Sequence, residues 1–110
     1  MLGREFRIST GKEYNNIYKG GKRIPGRYII LFYQPNSLGI NRFGVVTSKK
    51  VGKAVTRNQA KRRLREIIKK NELDKKGFDI IIVARYNIGG VTSELLEKDF
   101  KIVTKKAGLW

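Results

Sequence analysis

Residues 49–65, KKVGKAVTRNQAKRRLR, hold eight of the chain's 25 lysines and arginines and none of its nine acids. Thr56 and Gln59 have the spacing of a capping box, which predicts a helix from about Arg57 to Asn71. On a helical wheel Ala60, Leu64, Ile67 and Ile68 fall on one narrow face that must pack inward. Arg57, Lys61 and Arg65 stack beside that face at i, i+4 and i+8, with Asn58, Arg62 and Lys69 next to them. Arg63 and Lys70 lie on the other flank, where pairing with Glu66 accounts for them. A solvated helix face normally intersperses acids among its bases. Here the repulsion along the ridge is left uncompensated unless an anion binds.

The rest of the chain shows that this charge rides on a folded body. The formal net charge is +16 over 110 residues, yet 40% of them are hydrophobic, which suits one globular domain, residues 1–110, and not a basic tail. The chain has no cysteine and no histidine, so disulfides, thiolate or imidazole metal sites, cysteine nucleophiles and serine–histidine–aspartate triads are excluded. Nothing at the start resembles a secretory signal, and no apolar run approaches the roughly 18 residues of a membrane span. A soluble, cytoplasmic protein with an anionic partner is the expectation.

Local signals predict the elements. Thr10 and Glu13 form a second capping box, Tyr14, Ile17 and Tyr18 follow at helical spacing, and Gly20-Gly21 stops the helix. Tyr28 to Tyr33 reads as a strand, with a minor extra strand near Ile24, and Arg42 to Ser48 as the next. The short polar connection from Pro35 to Asn41 suits antiparallel neighbours. Phe78 to Ala84 is apolar enough to be buried on both faces, with Asp79 as an edge or capping carboxylate. After Gly89-Gly90, Thr92 or Ser93 opens a last helix whose inner stripe is Leu96, Phe100, Val103 and Ala107.

Carboxylates for metal-assisted hydrolysis must converge. Here they are scattered: Glu5 and Glu13 at helix starts, and Glu66, Glu72, Asp74, Glu94, Glu97 and Asp99 on helices or turns where exposure explains them. A protein-borne nuclease centre has little support, and binding is the better reading. The glycine pairs match neither a P-loop nor a dinucleotide fingerprint; Gly52 reads as a turn, or as a point where backbone amides approach phosphate. Tyr14 and Tyr18 share a helix face, and Tyr28 and Phe32 a strand face with Tyr33 opposite. Such aromatics serve as core contacts, as a stacking platform for single-stranded bases, or as both.

The stretch Ser48-Lys49-Lys50-Val51-Gly52-Lys53-Ala54-Val55-Thr56-Arg57-Asn58-Gln59-Ala60-Lys61-Arg62-Arg63-Leu64-Arg65-Glu66 resembles the signature of the protein subunit of bacterial ribonuclease P. The likeness covers nearly the whole chain: an early aromatic pair four apart, Arg27 before an apolar strand, a late I-I-I-V-A-R strand and a C-terminal Leu-aromatic. One departure is Gln59, where that family usually has arginine.

The resemblance implies an α+β fold, an α-β-β-β-α-β-α sandwich with a left-handed crossover through the basic helix. It implies two RNA surfaces. Lys49, Lys50, Lys53, Arg57, Asn58, Lys61, Arg62 and Arg65 would face the catalytic RNA. Tyr14, Tyr18 and Phe32, with Arg57 and Lys61 at the rim and Trp110 nearby, would line a cleft for the single-stranded 5′ leader of precursor tRNA. The RNA subunit would carry hydrolysis with Mg²⁺, with no catalytic residue in this chain; membrane and DNA partners are not expected. Counterion release would make assembly strongly salt-dependent. The alternatives are a structural RNA-binding protein of ribosomal or ribosome-assembly type, and a stand-alone nuclease.

Overall fold

The apolar run FDIIIVA lies at the centre of a mixed four-stranded sheet, with bulky residues to bury on both of its faces. In the computed structural model, which describes residues 6–110, the elements follow in the order α1 (Gly11–Gly20), β1 (Lys22–Pro25), β2 (Ile29–Pro35), β3 (Arg42–Val46), α2 (Ala54–Lys70), β4 (Phe78–Ala84) and α3 (Ser93–Lys106). This is the expected α-β-β-β-α-β-α order, and the strand near Ile24 is β1. Glu5 lies outside the described residues. Among those described, no helix is long and apolar enough to cross a membrane.

The sheet order is β1-β2-β4-β3, so the expected antiparallel pairing across residues 35–41 is not what forms. β4 enters between β2 and β3, antiparallel to the first and parallel to the second. The connection spans two strand spacings, about 10 Å, by folding over the start of β4. There the Asn36 amide N–H donates to the Gly77 carbonyl at 2.8 Å, and its side chain donates to the Ile40 carbonyl at 3.0 Å.

Period-two alternation divides the sheet into two faces and two cores. One face sends Ile29, Leu31, Ile80 and Ile82 against Ala60, Leu64, Ile67 and Ile68 of α2 and Leu96, Phe100 and Val103 of α3. The helical stripes are those expected, although α2 begins at Ala54, one turn early, and has no side-chain cap. Thr56 is spent on packing: its methyl lies where a side chain at Gly89 would come within 3.3 Å. The other face carries Ile81, Phe32, Val46 and Val83 and receives α1 through Ile17. Tyr28 precedes β2, escapes its alternation and packs in the first core, not beside Phe32.

Three carboxylates expected to be solvated or peripheral hold the fold together. Asp99 is 6% exposed and accepts the backbone N–H groups of Arg27 (3.0 Å), Tyr28 (2.8 Å) and Ile29 (3.2 Å), tying α3 to the β1–β2 turn. A side chain on Gly26 would stand 2.8 Å from that carboxylate, so the turn requires glycine. Asp79 is neither an edge nor a cap. It is 5% exposed on the central strand and takes both Nε (2.9 Å) and Nη2 (2.7 Å) of Arg42, with Asn36 donating at 2.9 Å. The same guanidinium reaches Glu13 through Nη1 at 2.7 Å.

Glu13 also completes the expected capping box with Thr10, so one side chain both starts α1 and moors it to the sheet. Its partners, Arg42 foremost, hold its carboxyl at about 2, below the ordinary 4.5, and the two carboxylates keep Arg42 charged. Ile17 is the one fully buried side chain of α1, worth roughly 1.5–3 kcal/mol. Tyr14 packs on the same face, and the ion pair adds a polar tie at the first turn of the helix.

Two outcomes follow from these contacts. Asp99→Ala strands three amides and is expected to cost roughly 2–4 kcal/mol, read as a lower urea midpoint at unchanged m-value. The Glu13 contribution is fully present above pH 4.5 and is lost as pH falls through about 2. Acid unfolding followed by circular dichroism should therefore show a stability loss in that interval which Glu13→Gln largely lacks; equal acid sensitivity of the two proteins would remove the ion pair from the account.

Candidate nucleic-acid interface

The basic segment is built as a bent lead-in and a helix. Ser48 accepts the Lys50 amide at 3.3 Å and opens a 3-10 turn, Lys49–Val51, anchored by buried Val51. The Gly52 amide donates to the Lys49 carbonyl at 3.1 Å, so of the two readings of Gly52 its own N–H serves the turn. Lys49, Lys50 and Lys53 stand exposed around the start of α2, whose first turn holds no acid. The positive end of the helix dipole thus coincides with three ammonium groups.

Along α2, Arg57, Lys61 and Arg65 are half-buried beside the apolar stripe, and Asn58, Arg62 and Lys69 are exposed. Among the described residues, none of Lys49, Lys50, Lys53, Arg57, Lys61, Arg62 and Arg65 has an ion-pair partner within 4.0 Å. Arg63 and Lys70 do have partners, but not Glu66. Arg63 donates to the Val91 carbonyl, and Lys70 pairs with Glu97 of α3 at 3.3 Å, because that flank of α2 faces α3.

The aromatic cluster lies on the α1 face of the sheet. Tyr14 rests directly on Gly44 of β3, where a Cβ would come within 2.8 Å of its ring. Tyr14 and Tyr18 are 6.4 Å apart between ring centres, and Tyr18 meets Phe32 edge-on at 4.9 Å and 86°. Burial pushes both phenols up, and Arg65 opposes the rise at Tyr14. Arg65 reaches this face around the β3 edge, where with Arg7, Tyr14 and Gly44 it lines a cleft of about 180 Å³. Arg57 and Lys61 continue the line from Arg65 toward the start of α2.

Tyr14, Tyr18 and Phe32 therefore form one aromatic group, and Tyr14 shares a cleft with Arg65, but Trp110 is not with them. Its indole N–H donates to the Thr104 hydroxyl at 2.9 Å, and its ring packs on the core between the sheet, α2 and α3, across the sheet from α1. The short C-terminal segment leaves α3 on that side, which a sequence match could not reveal. The structure adds floor residues that were missed. Ile30, Val83 and Val46 form a half-buried row on the same face as Phe32, in direct register across β2, β4 and β3. Counting by twos from Phe32 along β2 would have found Ile30.

Donors for a divalent cation do not converge among the described residues. Among the described residues no three acidic side chains cluster, and Glu13, Asp79 and Asp99 are already committed to Arg42 or to backbone amides. What the surface offers is a stacking platform beside a line of free cations, with hydrophobic floor between strands.

The family model described as Ribonuclease P matches residues 2–108. The chain is 46% identical to the ribonuclease P protein component of Syntrophomonas wolfei over all of this chain and 93% of that protein. A Staphylococcus aureus RNase P protein mutant described as having defective mRNA degradation activity superposes with a TM-score of 0.90 at 30% identity, over 97% of this chain and 92% of that one. The RNase P protein from Thermotoga maritima superposes with a TM-score of 0.82 at 28% identity, over 90% and 96% of the two chains.

Proposed function

The chain belongs to the family of ribonuclease P protein components, which serve the processing of tRNA 5′ ends, and from that premise we propose how its two surfaces divide the work. The ridge of Lys49, Lys50, Lys53, Arg57, Asn58, Lys61, Arg62 and Arg65 docks on the catalytic RNA. The cleft of Tyr14, Tyr18 and Phe32, floored by Ile30, Val46 and Val83, takes the single-stranded 5′ leader of precursor tRNA. The RNA subunit carries the hydrolysis in the cytoplasm and uses Mg²⁺; no step is assigned to an ion held by this chain.

The observation that carries this reading is the placement of Arg65. Among the described residues it belongs to a cationic line on α2 with no ion-pair partner, and at the same time it lines, with Tyr14, the cleft at the β3 edge. One helix can thus lie against a structured RNA while its flank guides a single strand toward that RNA. The free cations screen two polyanions from each other, and the aromatic rings add affinity that does not depend on base identity.

Reconstitution with a bacterial ribonuclease P RNA at low Mg²⁺ should give faster precursor cleavage than the RNA alone. No stimulation would overturn the proposal. The mRNA degradation named for the staphylococcal relative makes a lane without catalytic RNA essential, and cleavage of precursor tRNA there would move the chemistry onto the protein. Within the holoenzyme, Phe32→Ala and Tyr18→Ala are each expected to weaken leader-bearing tRNA by about 1–3 kcal/mol, the worth of one stacked base, while sparing mature tRNA. Equal losses on both ligands would dismiss the cleft.

A further inference from the structure

Strand β1 brings a cation to the cleft from the side opposite α2. In the antiparallel pairing of β1 with β2, Arg23 lies directly across from Phe32, while Lys22 lies across from Tyr33 and Ile24 across from Leu31. Alternation therefore puts Arg23 on the α1 face with Phe32, and Lys22 on the face of the other core. Directly paired side chains in such a ladder have Cβ atoms about 4.5–5.5 Å apart. A guanidinium on Arg23 is thus within reach of any group lying over the Phe32 ring.

Three further facts bear on what Arg23 does there. It is exposed, and among the described residues it has neither an ion-pair partner nor a side-chain hydrogen bond. It stands on an edge strand, so nothing of the sheet lies beyond it. Phe32 meets Tyr18 edge-on at 4.9 Å and is itself only half-buried, so part of its ring remains exposed.

We propose that Arg23 is the outer wall of the leader cleft and binds the phosphate of the nucleotide that stacks on Phe32. The inference rests on the leader assignment made above and adds to it a residue on a different strand. A base laid on Phe32 has its sugar-phosphate at the edge of the ring, and a planar guanidinium with several donors suits a phosphate at that distance. The leader is then held between cations on both sides: Arg65 and its neighbours across β3, and Arg23 beyond β2. The sheet between them is apolar, so the charge is concentrated at the two rims.

The test uses holoenzyme assembled with a bacterial ribonuclease P RNA, a precursor tRNA with a short leader, and the same tRNA without one. Arg23→Ala is expected to reduce the leader-dependent gain in affinity roughly two- to fivefold, the range of one exposed charge pair. It should also flatten the salt dependence of that gain by about 0.7 in log–log slope, the value for one single-strand phosphate. Arg23→Lys should keep the salt slope. Lys22→Ala, the same loss of charge one residue away on the other face, should leave the gain intact. An unchanged gain in Arg23→Ala, an equal loss in Lys22→Ala, or an equal loss on leaderless tRNA would each overturn the proposal. If the wild-type holoenzyme itself shows no preference for the leader, the cleft assignment fails first, and Arg23 falls with it.

Discussion

A single guanidinium organises the working face of this protein. Arg42 bonds a buried aspartate on the central strand and a glutamate on the first helix, with 2.7 Å contacts to each. The helix it holds is short, ten residues with one fully buried side chain. Fixing it fixes Tyr14 against Gly44 and Tyr18 against Phe32, and those rings define the cleft. Asp79 is met bidentately and Glu13 lies equally near, the geometry that best counters the cost of taking such charges out of water.

The distribution of acids explains the distribution of free bases. Glu13, Asp79 and Asp99 are turned inward, to an arginine or to the amides of a turn, and Glu97 is engaged with Asn71 and Lys70 between α2 and α3. Among the described residues, the seven cations around and along α2 are left without an ion-pair partner within 4.0 Å. The fold thereby separates part of its charge: Glu13, Asp79, Asp99 and Glu97 act as internal fasteners, and the bases on the outer face of α2 remain available to RNA. The exceptions among the bases of α2 face α3: Arg63 fastens the loop at Val91 and Lys70 pairs with Glu97.

Much of this was legible locally. The Thr10–Glu13 box, the inward stripes of α2 and α3 and the doubly buried β4 depend on spacings of two to four residues, and the structure has each of them. The uncharted parts depend on distance along the chain. Asp99 meets residues some 70 positions away, and Asp79 meets Arg42 from 37 positions away, so neither role leaves a local trace. Strand order was misread for the same reason: a short connection favours adjacent strands, but β4 outcompetes by offering bulky residues to both faces. Thr56 resembled a cap and became a packing residue, and Trp110 followed its segment to the far side of the sheet. The recognition of the basic segment rested on composition and motif, and its place beside Tyr14 required the β3 edge.

The insertion of β4 between β2 and β3 bears on how such a chain acquires its shape. Its two neighbours are made earlier and cannot pair with each other in the final arrangement, so the middle of the sheet stays vacant until most of the polypeptide exists. During vectorial synthesis the β1–β2 hairpin and β3 must wait with unpaired edges while the most highly charged segment passes. Closure is then a non-local step of high contact order, slower than the formation of any helix in the molecule. The strand that joins both faces is also the one that completes them, and the cleft comes into being only at that moment.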